Sequence, residues 1–155
     1  MNSQKRVHSR LLTCCVAGEW LALPVEELSE VVTPQTTTVI PLAPNAVNGL
    51  INLRGKILTE LDMRRILELP PRDEYSIYRT IILEGNEGES FGLTVDSVGE
   101  VISMDANGFE RTPDSLADCW KNICHGVLKL ERSIIILLDV DKLISKSMQE
   151  VGVKT

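Results

Sequence analysis

The feature that most constrains this chain is that it contains one segment twice. GLINLRGKILTELDMRRIL at 49–67 aligns without a gap on GVLKLERSIIILLDVDKLI at 126–144, an offset of 77 that pairs Gly49 with Gly126, Leu53 with Leu130, Leu61 with Leu138 and Asp62 with Asp139. Upstream, LALPVEELSEVV at 21–32 lies over FGLTVDSVGEVI at 91–102 at an offset of 70, with Leu23 over Leu93, Val25 over Val95 and Glu30-Val31 over Glu100-Val101. The difference between the offsets falls in a connection that carries Pro34, Pro41 and Pro44 in the first copy and Pro113, Asp114 and Trp120 in the second. A chain of 155 residues has room for one compact domain or for two small halves. A half of about 65 residues buries only about 60% of its unfolded surface and is marginal alone, so the two copies are expected to lean on each other.

Each copy reads as a hairpin, a short strand, a long proline-bearing connection, a second hairpin and a short helix. Alternating apolar stretches, turns at Gly18, Gly55 and Gly85-Asn86-Glu87-Gly88, and few long helical patterns predict an all-β fold of two small barrels with short helices. The one clear helix is C-terminal: Val140, Leu143, Ile144, Met148 and Val151 follow helical spacing from Asp139, a natural N-cap. A single domain is expected over 11–147, with repeats at 11–68 and 79–147, a linker at 69–78 that includes Pro70-Pro71-Arg72-Asp73-Glu74, and flexible termini at 1–10 and 148–155. The linker is a boundary of sequence and not necessarily of space, because strands of duplicated barrels can exchange.

A net charge of −6 opposes a nucleic-acid surface, which needs a dense basic stripe. Lys5, Arg6 and Arg10 before Leu11–Gly18 loosely imitate a signal peptide, but the apolar stretch leads into alternating Leu21, Leu23 and Val25, as a hairpin entering a core would. The longest aliphatic run, Ile134–Leu138, is far short of a membrane span. A soluble, cytosolic chain without membrane insertion is expected. Cys14, Cys15, Cys119 and Cys124 form no disulfide framework and are expected as small, buried or half-buried thiols. Cys119, Cys124 and His125 lack an evident fourth ligand for zinc, so no metal site is assigned.

No catalytic group is nominated either. One Asp per copy in a duplicated β-protein raises an acid-protease dyad, but Asp62 precedes Met63-Arg64 and Asp139 precedes Val140-Asp141, where a strand passes into a helix. Helix capping is the economical role for both. His8 and His125 give no nucleophile a nearby base, and the Gly85–Gly88 turn lacks the Lys-Ser/Thr that cradles phosphate. The reading is a non-enzyme that recognises partners and needs no cofactor.

Asn52-Leu53-Arg54-Gly55, following Pro41-Leu42-Ala43-Pro44 and Val47-Asn48-Gly49, makes the repeat specific. Together with Leu23-Pro24-Val25, Glu30-Val31, Leu61-Asp62-Met63-Arg64, Gly92-Leu93, Val95-Asp96, Val98, Glu100-Val101 and Leu138-Asp139, it resembles the bacterial chemotaxis coupling proteins of the CheW family, from Leu11 to Ile144. The resemblance implies two SH3-like β-barrel subdomains, no cofactor, and an adaptor, monomeric when free, that links the cytoplasmic tips of chemoreceptors (methyl-accepting chemotaxis proteins) to the regulatory domain of the histidine kinase CheA. It further implies a cytoplasmic location with recruitment to membrane-associated receptor arrays. By motif, Arg54 inherits receptor engagement near the groove between subdomains. Glu30 and Val31 flank the same groove, and Leu53 and Val95 are expected as its apolar walls. Kinase contacts are not assigned to residues.

The second copy has Glu131-Arg132 where the first has Arg54-Gly55, so the copies diverge in charge at this turn. Trp20 and Trp120 are expected in the core or at a rim. The sequence departs from the family at Leu58-Thr59-Glu60, where Pro-Val-Ile is frequent; Glu60 is expected either to face solvent on a strand edge or to meet a partner. Two alternatives stay open: an adaptor of a twitching or second-messenger system, and a small-barrel module for peptide or nucleic acid, the latter disfavoured by an acidic chain with two Trp, two Tyr and two Phe.

Overall fold

The structure is a computed structural model and describes residues 10–85, 88–104 and 108–149. His8, the middle of the Gly85–Gly88 turn (Asn86 and Glu87), Val151 and most of the two expected flexible termini lie outside the described residues. The elements run β1 (Arg10–Val16), β2 (Glu19–Pro24), a 3-10 turn at Val25–Glu27, β3 (Leu28–Val32), β4 (Thr37–Thr38), β5 (Val47–Leu53), β6 (Lys56–Asp62), α1 (Met63–Ile66), β7 (Arg79–Glu84), β8 (Ser90–Val95), β9 (Ser97–Ser103), β10 (Phe109–Glu110), α2 (Asp118–Lys121), β11 (Cys124–Lys129), β12 (Ile134–Leu138) and α3 (Val140–Ser147).

Two six-stranded sheets result, ordered β10-β11-β12-β2-β1-β9 and β4-β5-β6-β8-β7-β3. Position by position these orders are equivalent under the sequence repeat. In each, the leading hairpin of one copy is inserted beside the strands of the other: β1–β2 sits in the sheet of the second copy, and β7–β8 in the sheet of the first. The joins are the parallel pairs β12·β2 (Ile136 opposite Leu21) and β6·β8 (Leu61 opposite Leu93). The copies have therefore exchanged hairpins. The 69–78 linker, which carries no strand or helix, connects two parts of one sheet, and the chain changes sheet instead at 25–27 and at Asp96.

Three cores explain the aliphatic runs. A small cluster of Leu11, Ala22, Leu128, Ile135 and Leu137 fills one barrel, and Ile51, Leu58 and Ile82 fill the other. The largest cluster lies between the sheets and joins Leu12, Leu21, Leu23, Ile136 and Leu138 to Leu61, Ile81, Leu83, Leu93 and Val95. Neighbours such as Leu11 and Leu12, Ile81 and Ile82, or Leu137 and Leu138 thus enter different cores, which is why these strands read as continuous apolar runs rather than alternating ones. Each barrel interior is too small to stabilise a barrel alone, so the shared core makes the halves interdependent.

Both Asp residues of the repeat cap helices: Asp62 Oδ1 accepts from Arg64 N (2.9 Å) and Asp139 Oδ1 from Lys142 N (3.1 Å). The C-terminal helix begins at this cap and buries Val140, Leu143 and Ser147. Helix α1 stops in a Schellman turn, with Leu69 N donating to Arg64 O (2.8 Å) and Glu68 N to Arg65 O (3.1 Å), and this places Glu68 at φ 59°. A side chain in that left-handed conformation is strained. Glu68→Gly is expected to raise unfolding free energy by about 0.5–1 kcal/mol, read as a higher urea midpoint at unchanged slope.

Candidate binding surface

The NLRG motif folds into the two-residue turn between β5 and β6. Arg54 and Gly55 have φ 52° and 86°, the signature of a type I′ turn, which needs positive φ at both central positions and favours glycine at the second. Asn52 Oδ1 accepts from Gly55 N (2.9 Å) and locks the turn. The tip then reaches β3, where the Arg54 guanidinium is ion-paired with Glu30. Strands β3 and β5 are far apart in the sheet order, so this contact bridges the open side of the curled sheet. Beneath the pair, Leu53 and Val32 pack on the Ile51, Leu58 and Ile82 core.

The pair remains open to solvent, with Arg54 66% and Glu30 34% exposed. Val31 (39%) on β3 and Ile57 (58%) on β6 are exposed apolar side chains. In the second copy the corresponding residues are Glu100 and Glu131, two acids that cannot form such a pair. The structure thus brings Arg54, Glu30 and Leu53 together at one barrel edge, with Val31 beside Glu30 on β3.

Val95 does not join them. It is wholly buried in the inter-sheet core and offers a partner no surface, which corrects its expected place as a groove wall. Its position at the end of β8, the exchanged hairpin, turns it inward. Glu60 also differs from expectation. It faces neither solvent nor a partner but is fully buried, with Oε1 accepting from Thr37 Oγ1 (2.7 Å) and Asn48 Nδ2 (2.8 Å). The reason is strand alternation: Glu60 shares a face of β6 with Leu58, which fills the first barrel, so its side chain points into that barrel, where these polar residues of β4 and β5 satisfy one of its two oxygens.

Sequence reasoning missed the organising role of Asp96, which stands where the chain passes between sheets. Its carboxylate accepts from Arg64 Nη2 (2.6 Å) and Nε (3.0 Å), from Arg72 Nη2 (3.1 Å) and from Ala17 N (2.8 Å). Burial alone would raise this carboxyl, but the hydrogen bonds from Arg64, Ala17 and Arg72 outweigh it and hold it at about 2. One side chain therefore ties the β1–β2 turn, α1 and the linker together, and Arg72 also stacks on the Tyr78 ring (4.7 Å). The clue in the sequence was an acid between two β-runs together with arginines after Asp62 and in the linker.

The remaining candidates have structural places. Cys14 and Cys124 are buried and Cys15 and Cys119 half-buried, with burial pushing the Cys14 thiol up to about 12, far from a reactive thiolate. Cys119 Sγ lies 3.6 Å from Leu67 O, Cys124 Sγ 3.2 Å from Gly126 O, and His125 Nδ1 3.8 Å from Asp139, so the three face different neighbours. Trp120 is half-buried against the main core, whereas Trp20 is 41% exposed at a rim over Gly99. No helix among the described residues is long and apolar enough to cross a membrane.

Two barrels sharing one core, with an exposed hairpin-tip ion pair, define the class as a duplicated-barrel scaffold. Comparison places it more narrowly. The CheW-like domain family model matches residues 10–148. The crystal structure of the scaffolding protein TtCheW from Thermoanaerobacter tengcongensis superposes with a TM-score of 0.81 at 30% identity, covering 94% of this chain and 98% of that one. The chemotaxis protein CheW of Rhizobium meliloti is 30% identical over 113 residues, 73% of this chain and 72% of its own, and that of Thermotoga maritima 29% identical over 133 residues, 86% and 85%. The chain belongs to the CheW family of chemotaxis adaptors.

Proposed function

We propose that this protein couples chemoreceptor cytoplasmic tips to the regulatory domain of the kinase CheA, as a non-catalytic adaptor recruited to receptor arrays, and that the surface around Arg54, Glu30, Val31 and Leu53 is its receptor contact. The observation that carries the reading is the exposed Arg54–Glu30 pair, present in one copy of the repeat and excluded by charge from the other. An exposed ion pair contributes about 0–1 kcal/mol to stability, so stability alone gives little reason for its presence. The guanidinium keeps donors for an acceptor on a partner, and Val31 on β3 and Ile57 on β6 are exposed apolar side chains. The two barrels offer different surfaces, which suits simultaneous contact with two partners.

Arg54→Glu is expected to fold normally and to weaken binding to a receptor cytoplasmic fragment by about ten- to hundredfold, the loss of one charge-assisted contact. Binding to the CheA regulatory domain should stay unchanged, both measured by isothermal titration. The swap of Arg54→Glu with Glu30→Arg restores an internal pair and should still fail on the receptor. Recovery by the swap would mean that the pair acts only in bridging the sheet, and unchanged receptor affinity in Arg54→Glu would remove Arg54 from the contact.

A further inference from the structure

The net charge of −6 reverses locally at the other end of the chain. Helices α2 and α3 border an open groove of about 630 Å³ lined by Lys121, Lys142 and Lys146, a single carboxylate at Asp141, and the polar side chains of Asn122 and Ser145. Among the described residues, none of the three lysines has a carboxylate within ion-pair distance. The first copy spends its cations differently. Arg64 and Arg65, which align with Asp141 and Lys142, are consumed internally: Arg64 by Asp96 and Pro70 O, and Arg65 by Asn45 O and Val47 O. The repeat thus separates a structural use of cations after the first Asp cap from an unused set after the second.

Both bordering helices are anchored to the core. Helix α3 is fixed through buried Val140, Leu143 and Ser147, with Ser147 Oγ donating to Leu143 O (2.7 Å). Lys142 and Lys146, four residues apart, share the solvent-side face. Lys121 stands in the last turn of α2, which Trp120 seats against the main core.

We propose that the α2–α3 groove docks an acidic polypeptide segment, rich in Asp or Glu, from a partner protein. The groove is open to solvent, and its three lysines stand on two different helices, a spacing that a run of acidic side chains can follow. The amide of Asn122 and the hydroxyl of Ser145 can bond a peptide backbone, and Asp141 can accept a backbone N–H that a phosphate layer does not possess. The site stands on residues remote in sequence from the Arg54 turn and is independent of the receptor reading.

The test uses the full chain and a labelled hexaglutamate peptide flanked by Gly-Ser, titrated at low salt and followed by anisotropy and by backbone amide shifts. Saturable binding is expected, with shifts concentrated in 118–122 and 139–149 and affinity falling as salt screens the pairs. The double variant K142E/K146E should bind about tenfold more weakly or worse, K121E separately should weaken binding, and R132E, in the turn between β11 and β12, should leave it unchanged. Because all three lysines lie outside the core, far-UV circular dichroism should match the parent. Absence of saturable binding, shifts confined to other surfaces, or equal affinity of the reversed variants would overturn the proposal. Preferential binding to vesicles containing phosphatidylglycerol, lost in K142E/K146E, would overturn it in favour of a membrane surface.

Discussion

Leu93→Ala is expected to lower the unfolding free energy by about 3–4 kcal/mol and to shift both barrels by the same amount. Leu93 is fully buried on β8, opposite Ile81 on one side and Leu61 on the other. Its side chain belongs to the inter-sheet core and not to either barrel interior. Deleting three carbons from such a site removes their transfer free energy and leaves a cavity, a combination that costs about 2–5 kcal/mol for Leu→Ala. Domains of this size are stable by only about 5–15 kcal/mol, so the loss is a large fraction of the total. Leu93 lies in one sheet and Trp20 in the other. Urea unfolding followed by Trp fluorescence and by far-UV circular dichroism should therefore give coincident curves, both displaced by the substitution. A Trp signal that kept its parent midpoint while the dichroism moved would show that the barrels unfold separately and that the shared core does not couple them.

Asp96→Ala is expected to cost about 2–4 kcal/mol near neutral pH, with a characteristic acid dependence. The variant frees Ala17 N and leaves the guanidiniums of Arg64 and Arg72, 17% and 13% exposed, without their carboxylate. The folded carboxyl titrates at about 2 against an ordinary 3.8. Because the folded value is the lower, the stabilisation is fully present above 3.8 and is lost as pH falls from there through about 2; it amounts to about 2 kcal/mol. Stability of the parent protein should drop toward that of the variant across this window. The difference between the two, taken from urea curves at each pH, isolates Asp96 from the other carboxylates. A difference that stayed constant down to pH 2 would mean that the variant acts through packing and not through the charged network.

Much of the fold was legible because apolar patterning and turn chemistry are local. The repeat, the Asp62 and Asp139 caps and the Gly55 turn each follow from a few adjacent residues. Site residues were legible in proportion to how local their geometry is. Arg54 sits in a turn whose four residues dictate its conformation, so its exposure followed. Val95 and Glu60 did not follow, because strand alternation says that a side chain points to one face but not whether another sheet or a barrel wall covers that face. Asp96 escaped for a related reason: its partners Ala17, Arg64 and Arg72 are remote in sequence, and only the crossing between sheets gathers them.

The duplication by itself determined that two similar small barrels would form and that neither would be large enough to stand alone. Tertiary structure decided which strands make each barrel. Because β6 runs parallel to β8, and β12 to β2, each leading hairpin pairs across the repeat and the linker becomes a connection within one sheet. Side-chain patterns are nearly the same in both copies, so local sequence gives a hairpin no means of distinguishing its own copy from the other. Chain connectivity and burial of one continuous inter-sheet core make that choice, and both are properties of the whole molecule.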